Sequence, residues 1–272
     1  MDLTSYLMGK NSSGGGGSSY DWSKIGYNYE PKLINSSYQE AKEIYDNWDN
    51  TVTNATNMFS SYNNIGKYSF PIFPNVDTSN ITNMYQMFQY CYNLMEIDEN
   101  FDFSNCTDCS KMFYYCYNLK HVKNIIPKVY CKMEKMFYNC YNLKNIDTIR
   151  ITATISGSNP YETFAYINNL HIKKLILNVR SYGDYRFFTN CYDLDIEEIV
   201  NESENTSFTR VLLEYCTMTD RTIKAIFNYM KTLTDQGTKT LKALGFSSAN
   251  CDQAILLPEW QEMVTLGWTT GY

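Results

Sequence analysis

A phrase close to Met-Phe-x-x-Cys-Tyr-Asn-Leu recurs along the chain at nearly constant spacing. It reads Met87-Phe88 to Cys91-Tyr92-Asn93-Leu94, then Met112-Phe113 to Cys116-Tyr117-Asn118-Leu119, then Met136-Phe137 to Cys140-Tyr141-Asn142-Leu143. Looser copies extend the series on both sides. Met58-Phe59 has Tyr62 in the Cys position, Thr163-Phe164 has Ile167 there, Phe187-Phe188 leads to Cys191-Tyr192, and Leu212-Leu213 leads to Cys216. First positions fall at 58, 87, 112, 136, 163, 187 and 212, giving steps of 29, 25, 24, 27, 24 and 25 residues. That is the period of a leucine-rich-repeat solenoid, and it is shorter than the period of helical-hairpin repeats or propeller blades.

The expected fold is therefore α/β: a leucine-rich-repeat solenoid of about seven turns, with parallel strands and helical segments, capped at both ends. Within a unit, residues 80–91 and 108–116 read as helical segments with Met and Phe inward. Cys closes the turn, and Asn-Leu opens a strand at Leu94, Leu119 and Leu143, and later over 170–177 and 194–199. Leu and the following Ile or Val face the core and the residues between them face out. Four regions follow: a docking peptide and Gly/Ser linker over 1–19, an N-terminal cap over 20–57, the solenoid over 58–218 and a C-terminal cap over 219–272. The first cap is expected to hold a helix over 39–48, started by Ser36-Ser37, whose Ile44, Tyr45 and Trp48 cover the first turn. The second is expected to hold a helix over 219–232 with Ile223, Ile226, Phe227 and Met230 on one face. A last strand over 240–245 and a closing segment over 256–268 follow it.

Charge and targeting signals narrow the partners. Net charge is −6, and no basic run exceeds a pair such as Lys173-Lys174, which argues against nucleic acid or an anionic membrane as the main partner. No stretch of 18 apolar residues occurs, so membrane insertion is not expected. Residues 1–10 run directly into a Ser/Gly tract without a hydrophobic signal-peptide core. Leu3, Tyr6, Leu7 and Met8 lie at helical spacing ahead of that flexible tract, the pattern of a short docking peptide on a tether. A chain tethered in this way is expected to occur in multiple copies in an assembly.

Most residues that look like chemistry belong to the repeat. Of nine cysteines, those at 91, 116, 140, 191 and 216 share one repeat position and read as a buried ladder of small hydrophobes. Cys106-x-x-Cys109 lacks a second pair at zinc-site spacing, and the nearby thiol off the ladder is Cys131, so the pair reads as a turn between repeats. No metal and no cofactor are expected. His121 and His171 each follow a strand-opening leucine, which places them on the sheet face and apart from any nucleophile. Gly-x-Ser-x-Gly, a phosphate loop and HExxH are absent from the sequence, and Glu197-Glu198 alternate across a strand. The chain is expected not to be an enzyme.

Two surfaces emerge as binding candidates. Tyr92, Tyr117, Tyr141 and Tyr192 should align along one edge, either to hold sugar rings or a protein partner or to pack on one another between turns. The strand face, with Met95, Glu96, Lys120, His121, Lys123, Lys144, Asn145, Lys173 and Glu197, either recognises a partner or pairs its charges across strands, with Glu96 beside Lys120 and His121.

The repeated unit, with linking segments such as Asp77-Thr78-Ser79-Asn80-Ile81-Thr82-Asn83-Met84 and Phe103-Ser104-Asn105-Cys106-Thr107, resembles the BspA-type leucine-rich repeats of bacterial surface proteins over about 58–250. Separately, Met1-Asp2-Leu3-Thr4-Ser5-Tyr6-Leu7-Met8-Gly9-Lys10 and its Gly run resemble the opening tag of virion proteins from phages of low-GC Gram-positive bacteria. Together the resemblances imply a phage or prophage structural protein on a tail, fibre or capsid exterior. Residues 1–19 would dock on other virion proteins, and the repeats would attach to a host-surface glycan or protein. The alternatives are a bacterial cell-surface adhesin of the same repeat type and a purely structural virion decoration protein.

Overall fold

The computed structural model describes residues 31–60, 70–153, 160–179, 186–202, 216–232 and 246–269. The docking residues Leu3, Tyr6, Leu7 and Met8, the linker, Tyr62, the Leu212-Leu213 copy and the strand expected over 240–245 lie outside the described residues.

Six strands form one parallel sheet in chain order: β1 (Ile72–Phe73), β2 (Glu96–Ile97), β3 (His121–Ile125), β4 (Asn145–Ala153), β5 (His171–Val179) and β6 (Asp195–Asn201). Each strand follows one copy of the phrase, and its neighbours are the strands of the preceding and following copies, so the chain advances by one strand per repeat. Registers keep equivalent residues side by side, as in Ile146↔Ile172↔Ile196 and Asn145↔His171↔Asp195. The result is a parallel-strand solenoid of about five turns, fewer than the seven copies suggest. Beyond β6 the chain turns helical where another strand would begin: α2 (Asp220–Lys231) starts after Thr219, whose hydroxyl accepts the Thr222 N–H.

The apolar spacing places the core as expected. Leu94, Leu119, Leu143, Leu170 and Leu194 are fully buried, as are the inward residues Val122, Ile146, Ile172 and Ile196 that follow them. Phe59, Phe88, Phe113, Phe137, Phe164 and Phe188 form a continuous buried column. Successive ring centroids lie 5.5, 5.5, 5.2, 5.5 and 5.0 Å apart, with planes within 13° of parallel. Beside it, Cys91, Cys116, Cys140 and Cys191 each donate their S–H to the Phe carbonyl of the preceding turn, at 3.1, 3.0, 3.0 and 2.6 Å. The ladder thiols are thus small core residues with a satisfied donor. Burial pushes the thiols of Cys116, Cys140 and Cys191 well above their usual range.

The helical segments expected over 80–91 and 108–116 are instead tandem turns. Their backbone explains why. The N–H groups of Met84, Gln86, Phe88 and Tyr90 donate to the carbonyls of Asp108, Ser110, Met112 and Tyr114 in the next repeat. Those of Met87, Gln89 and Cys91 close three-residue steps onto Met84, Gln86 and Phe88. An α-helix consumes its N–H groups along its own axis, whereas alternating local and cross-turn bonds tie each repeat to its neighbour. The geometry requires left-handed residues at two fixed places. Asn57, Gln86, Lys111, Lys135 and Glu162 precede the Met position, and Tyr90, Tyr115, Asn139, Tyr166 and Asn190 precede the Cys position, all with φ between 53° and 65°. Such a backbone costs about 1–3 kcal/mol per non-glycine residue, and the laddered bonds and the Phe column hold it in place.

The N-terminal helix also differs from expectation. α1 (Pro31–Asp46) begins ahead of Ser36-Ser37, because proline is pre-set for the first helical position, where its missing N–H costs nothing. Ala41 is buried, Ile44, Tyr45 and Trp48 pack on the core, and Trp48 sits edge-on to Phe73 while donating its indole N–H to the Asp77 carbonyl at 2.7 Å. At the other end Ile223, Ile226, Phe227 and Met230 of α2 are buried as expected. Thr222 locks that helix to β6, donating to the Leu194 carbonyl at 2.9 Å and accepting the Ile196 N–H at 2.7 Å. Two short helices, α3 (Ser248–Ile255) and α4 (Trp260–Thr265), lead to the buried Trp268.

Candidate binding surface

The residue after each ladder cysteine leaves the core as the chain rounds the corner into the strand. Its side chain therefore repeats along the outside at the spacing of the turns. Tyr92, Tyr117 and Tyr141 stack there, with centroids 5.1 and 5.4 Å apart and planes 11° and 10° from parallel. The corner beneath them is held by asparagine. Asn118 and Asn142 donate their side-chain N–H to the carbonyls of Tyr92 and Tyr117 at 2.8 and 2.9 Å. Tyr92 and Tyr141 keep 41% and 49% of their surface in solvent, so the column is an exterior feature. Tyr192, 49% exposed, does not extend it, because the intervening copy carries Asn168 at the corresponding position.

A second group of tyrosines joins this column and widens it into a band. Tyr90 lies 6.0 Å from Tyr92 and 5.4 Å from Tyr115, Tyr115 lies 5.6 Å from Tyr117, and Tyr114 stacks on Tyr138 at 5.2 Å. Tyr166 meets Tyr138 edge-on at 5.3 Å. These rings occupy the two variable positions of the phrase, as in Gln89-Tyr90, Tyr114-Tyr115, Tyr138-Asn139 and Ala165-Tyr166, and reading those positions as filler hid them. Left-handed φ at Tyr90, Tyr115 and Tyr166 is the conformational signature of that placement. Crowding by other rings alters their acidity. Burial, then the neighbouring tyrosines, raises Tyr114 and Tyr117, and burial with Tyr166 nearby pushes Tyr138 up to about 12. Lys135 Nζ caps one edge, 5.8 Å from the Tyr138 ring centre and 5.9 Å from that of Tyr161.

The strand face is built differently. One row across the sheet reads Glu96, His121, Asn145, His171 and Asp195 in register. His121 Nε2 meets Asp147 Oδ1 at 3.4 Å, so its side-chain partner is Asp147 and not the neighbouring Glu96. Lys123 reaches Glu99 at 2.7 Å, Lys174 reaches Glu198 at 3.5 Å, and Lys144 Nζ donates to the Asn168 carbonyl at 2.8 Å. At the far end His171 lies between Asp195, at 2.9 Å, and Glu197, at 3.3 Å, and Arg221 of α2 bonds both carboxylates. Arg221, with smaller help from His171 and Thr219, holds the Asp195 carboxyl well below the usual carboxylate range. Glu96, Lys120 and Asn145 are exposed beside these pairs. Much of the charge on this face is thus committed across strands, whereas the tyrosine band presents apolar surface with phenolic hydroxyls.

Comparison with known proteins adds one relative group. The family described as "Mycoplasma protein of unknown function, DUF285" matches residues 32–150, a span that holds α1 from its second residue and the copies of the phrase beginning at 58, 87, 112 and 136. No curated protein and no solved structure matches the chain. Among the described residues, no helix is long and apolar enough to cross a membrane.

Proposed function

We propose that the chain is a non-catalytic recognition module whose tyrosine band binds a molecule on a host-cell surface, carried on a virion through residues 1–19. One observation carries the recognition half of this reading: the repeat places a column of tyrosines outside, stacked as tightly as the phenylalanines inside, at a position that the copy beginning at 163 fills with Asn168. Rings buried in a stack need no hydroxyl, and a solvated edge needs no ring.

The stacking also bears on what binds. In a column of this spacing the faces between rings are covered, so the free surface consists of ring edges, hydroxyls and the outer faces of the end rings Tyr92 and Tyr141. Sugar rings stack on open aromatic faces, whereas a protein patch is matched by rigid amphipathic edges of this kind. The reading therefore favours a host-surface protein over a glycan. On the same reading α1 and the segment from α2 onward act as caps that cover the apolar ends of the leucine-rich-repeat array. The virion half rests on the N-terminal tag alone.

The full chain and a Tyr92→Ser/Tyr117→Ser/Tyr141→Ser variant should be compared for binding to host cells before and after protease treatment of the cells. The reading expects binding that is lost with the variant and with protease. Binding that survives protease and falls with glycan removal would replace the protein by a glycan. Equal binding by the variant would leave a decoration protein. Removal of residues 1–19 should leave cell binding intact and abolish incorporation into particles. Incorporation of the truncated chain would overturn docking by the tag, and absence of the full chain from particles would return the adhesin reading.

A further inference from the structure

Cys106, Cys109 and Cys131 are fully buried, and their sulfurs lie within 4.8 Å of one another. Cys109 Sγ is 3.0 Å from Cys106 Sγ and 3.5 Å from Cys131 Sγ. Besides one another they reach the carbonyls of Asp108 and Lys132, from Cys106 and Cys131 at 3.4 Å each, whereas Cys91, Cys116, Cys140 and Cys191 donate to Phe carbonyls at 2.6–3.1 Å. Equivalent positions in the neighbouring repeats carry larger apolar residues. Ile81, Cys106 and Cys131 close the same kind of turn, onto Thr78, Phe103 and Lys128, while Met84, Cys109 and Met133 each accept the N–H of the following Met. A fold that needed only packing there would use Ile and Met, as its neighbours do. Three thiols brought together from two successive repeats satisfy one another poorly, since S–H is a weak donor and sulfur a weak acceptor.

We infer that Cys106, Cys109 and Cys131 form a binding site for a single thiophilic d10 metal ion, copper(I) held by three sulfurs. Sulfurs ligating a common ion at about 2.3 Å lie about 4 Å apart, so the present separations of 3.0 and 3.5 Å, with all three sulfurs within 4.8 Å, need only a small spreading of the side chains to admit one. Soft thiolate sets select Cu(I) and zinc, and structural zinc takes four ligands. Among the described residues the metal-ligating cluster contains these three cysteines alone, so the trigonal preference of Cu(I) is met and the tetrahedral preference of zinc is not. Coordination releases the thiol protons to solvent. Because the site is closed, the ion enters as the turns assemble.

The test is to refold the full-length chain anaerobically with a non-thiol reductant, offering Cu(I) or Zn(II) against a competing chelator, and to count bound metal and its sulfur neighbours by X-ray absorption. The expected result is one Cu(I) per chain with a three-sulfur shell. Cys106→Ile/Cys131→Ile, which installs the residue type of Ile81, should keep the circular dichroism of the fold and lose Cu(I) by more than the roughly 10–100-fold typical of an outer-shell change. Cys251→Ser should bind as the parent does. Zinc held in preference with a fourth ligand, no uptake of either metal, or unchanged Cu(I) uptake by the Ile variant would each overturn the assignment.

Discussion

Two columns of aromatic rings run along this molecule at the same period, one of phenylalanine inside and one of tyrosine outside. The six phenylalanines are buried and stack at 5.0–5.5 Å. The three tyrosines stack at 5.1 and 5.4 Å with their edges in solvent. Their ring geometry is nearly the same, because both inherit the distance between adjacent turns. What differs is the medium on the free side, and that difference separates residues that hold the fold from residues available to a partner. In a solenoid a periodic residue is therefore not by itself a structural one. Its period reports the scaffold, and its exposure reports its use.

The comparison is broken most severely from the inside. Phe113→Ala removes the ring between Phe88 and Phe137 and should cost about 3–5 kcal/mol, the range for a fully buried Phe. Because repeats couple mainly to their neighbours, denaturant unfolding followed by circular dichroism should lose midpoint and cooperativity together. Tyr117→Ala also removes a ring between two stacked partners, Tyr92 and Tyr141, yet it forfeits ring pairs worth about 0.5–1.5 kcal/mol each and the cover of a ring that is only half-buried. If the two variants proved equally destabilising, the outer column would be structural and the recognition reading would lose its main support.

How far each column could be read beforehand follows from the same geometry. The Phe column, the Cys ladder and the strand-opening leucines were legible because each repeats with the full period and is apolar. The turns between them were not. Met84, Met87, Phe88 and Cys91 fall at i, i+3, i+4 and i+7, which is the stripe of an amphipathic helix. Tandem turns that bury Met84, Met87, Phe88 and Cys91 show the same spacing, and the residues at the left-handed sites, such as Gln86, Lys111 and Tyr115, carry no glycine signal. The wider tyrosine band escaped because Tyr90, Tyr114, Tyr138 and Tyr166 do not share one phrase position. Cys106 and Cys109 could be seen as a pair, but Cys131 joins them only when successive turns are stacked.

Titration separates the columns without mutation of the core, since phenylalanine has no proton to lose. The folded Tyr138 hydroxyl titrates at about 12, above the unfolded value of about 10. A raised folded value means that its contribution is complete below pH about 10 and is lost as pH rises towards 12, where the unfolded chain sheds the proton more readily. Unfolding midpoints should therefore fall through that alkaline window, and Tyr138→Phe should flatten part of the fall while leaving the midpoint at neutral pH nearly unchanged. An identical alkaline profile for the variant would place the loss elsewhere in the molecule.

The smallest change tests whether the outer column is limited by sequence alone. Asn168 occupies the place between Tyr141 and Tyr192 where a ring would join the two, and it is exposed. Its backbone carbonyl accepts Lys144 Nζ, and its side-chain oxygen accepts the Tyr192 N–H at 3.3 Å. Asn168→Tyr keeps the first bond and gives up the second, a solvent-exposed contact at the long end of hydrogen-bond geometry. The new ring should stack on Tyr141 and Tyr192 for a net change within about 1 kcal/mol of zero, because ring-pair gains of about 0.5–1.5 kcal/mol offset the lost bond. The informative readout is binding, not stability. If the band is the recognition surface, lengthening it changes affinity for host cells while thermal unfolding stays put. If the column serves only to tie turns together, unfolding rises slightly and cell binding does not move.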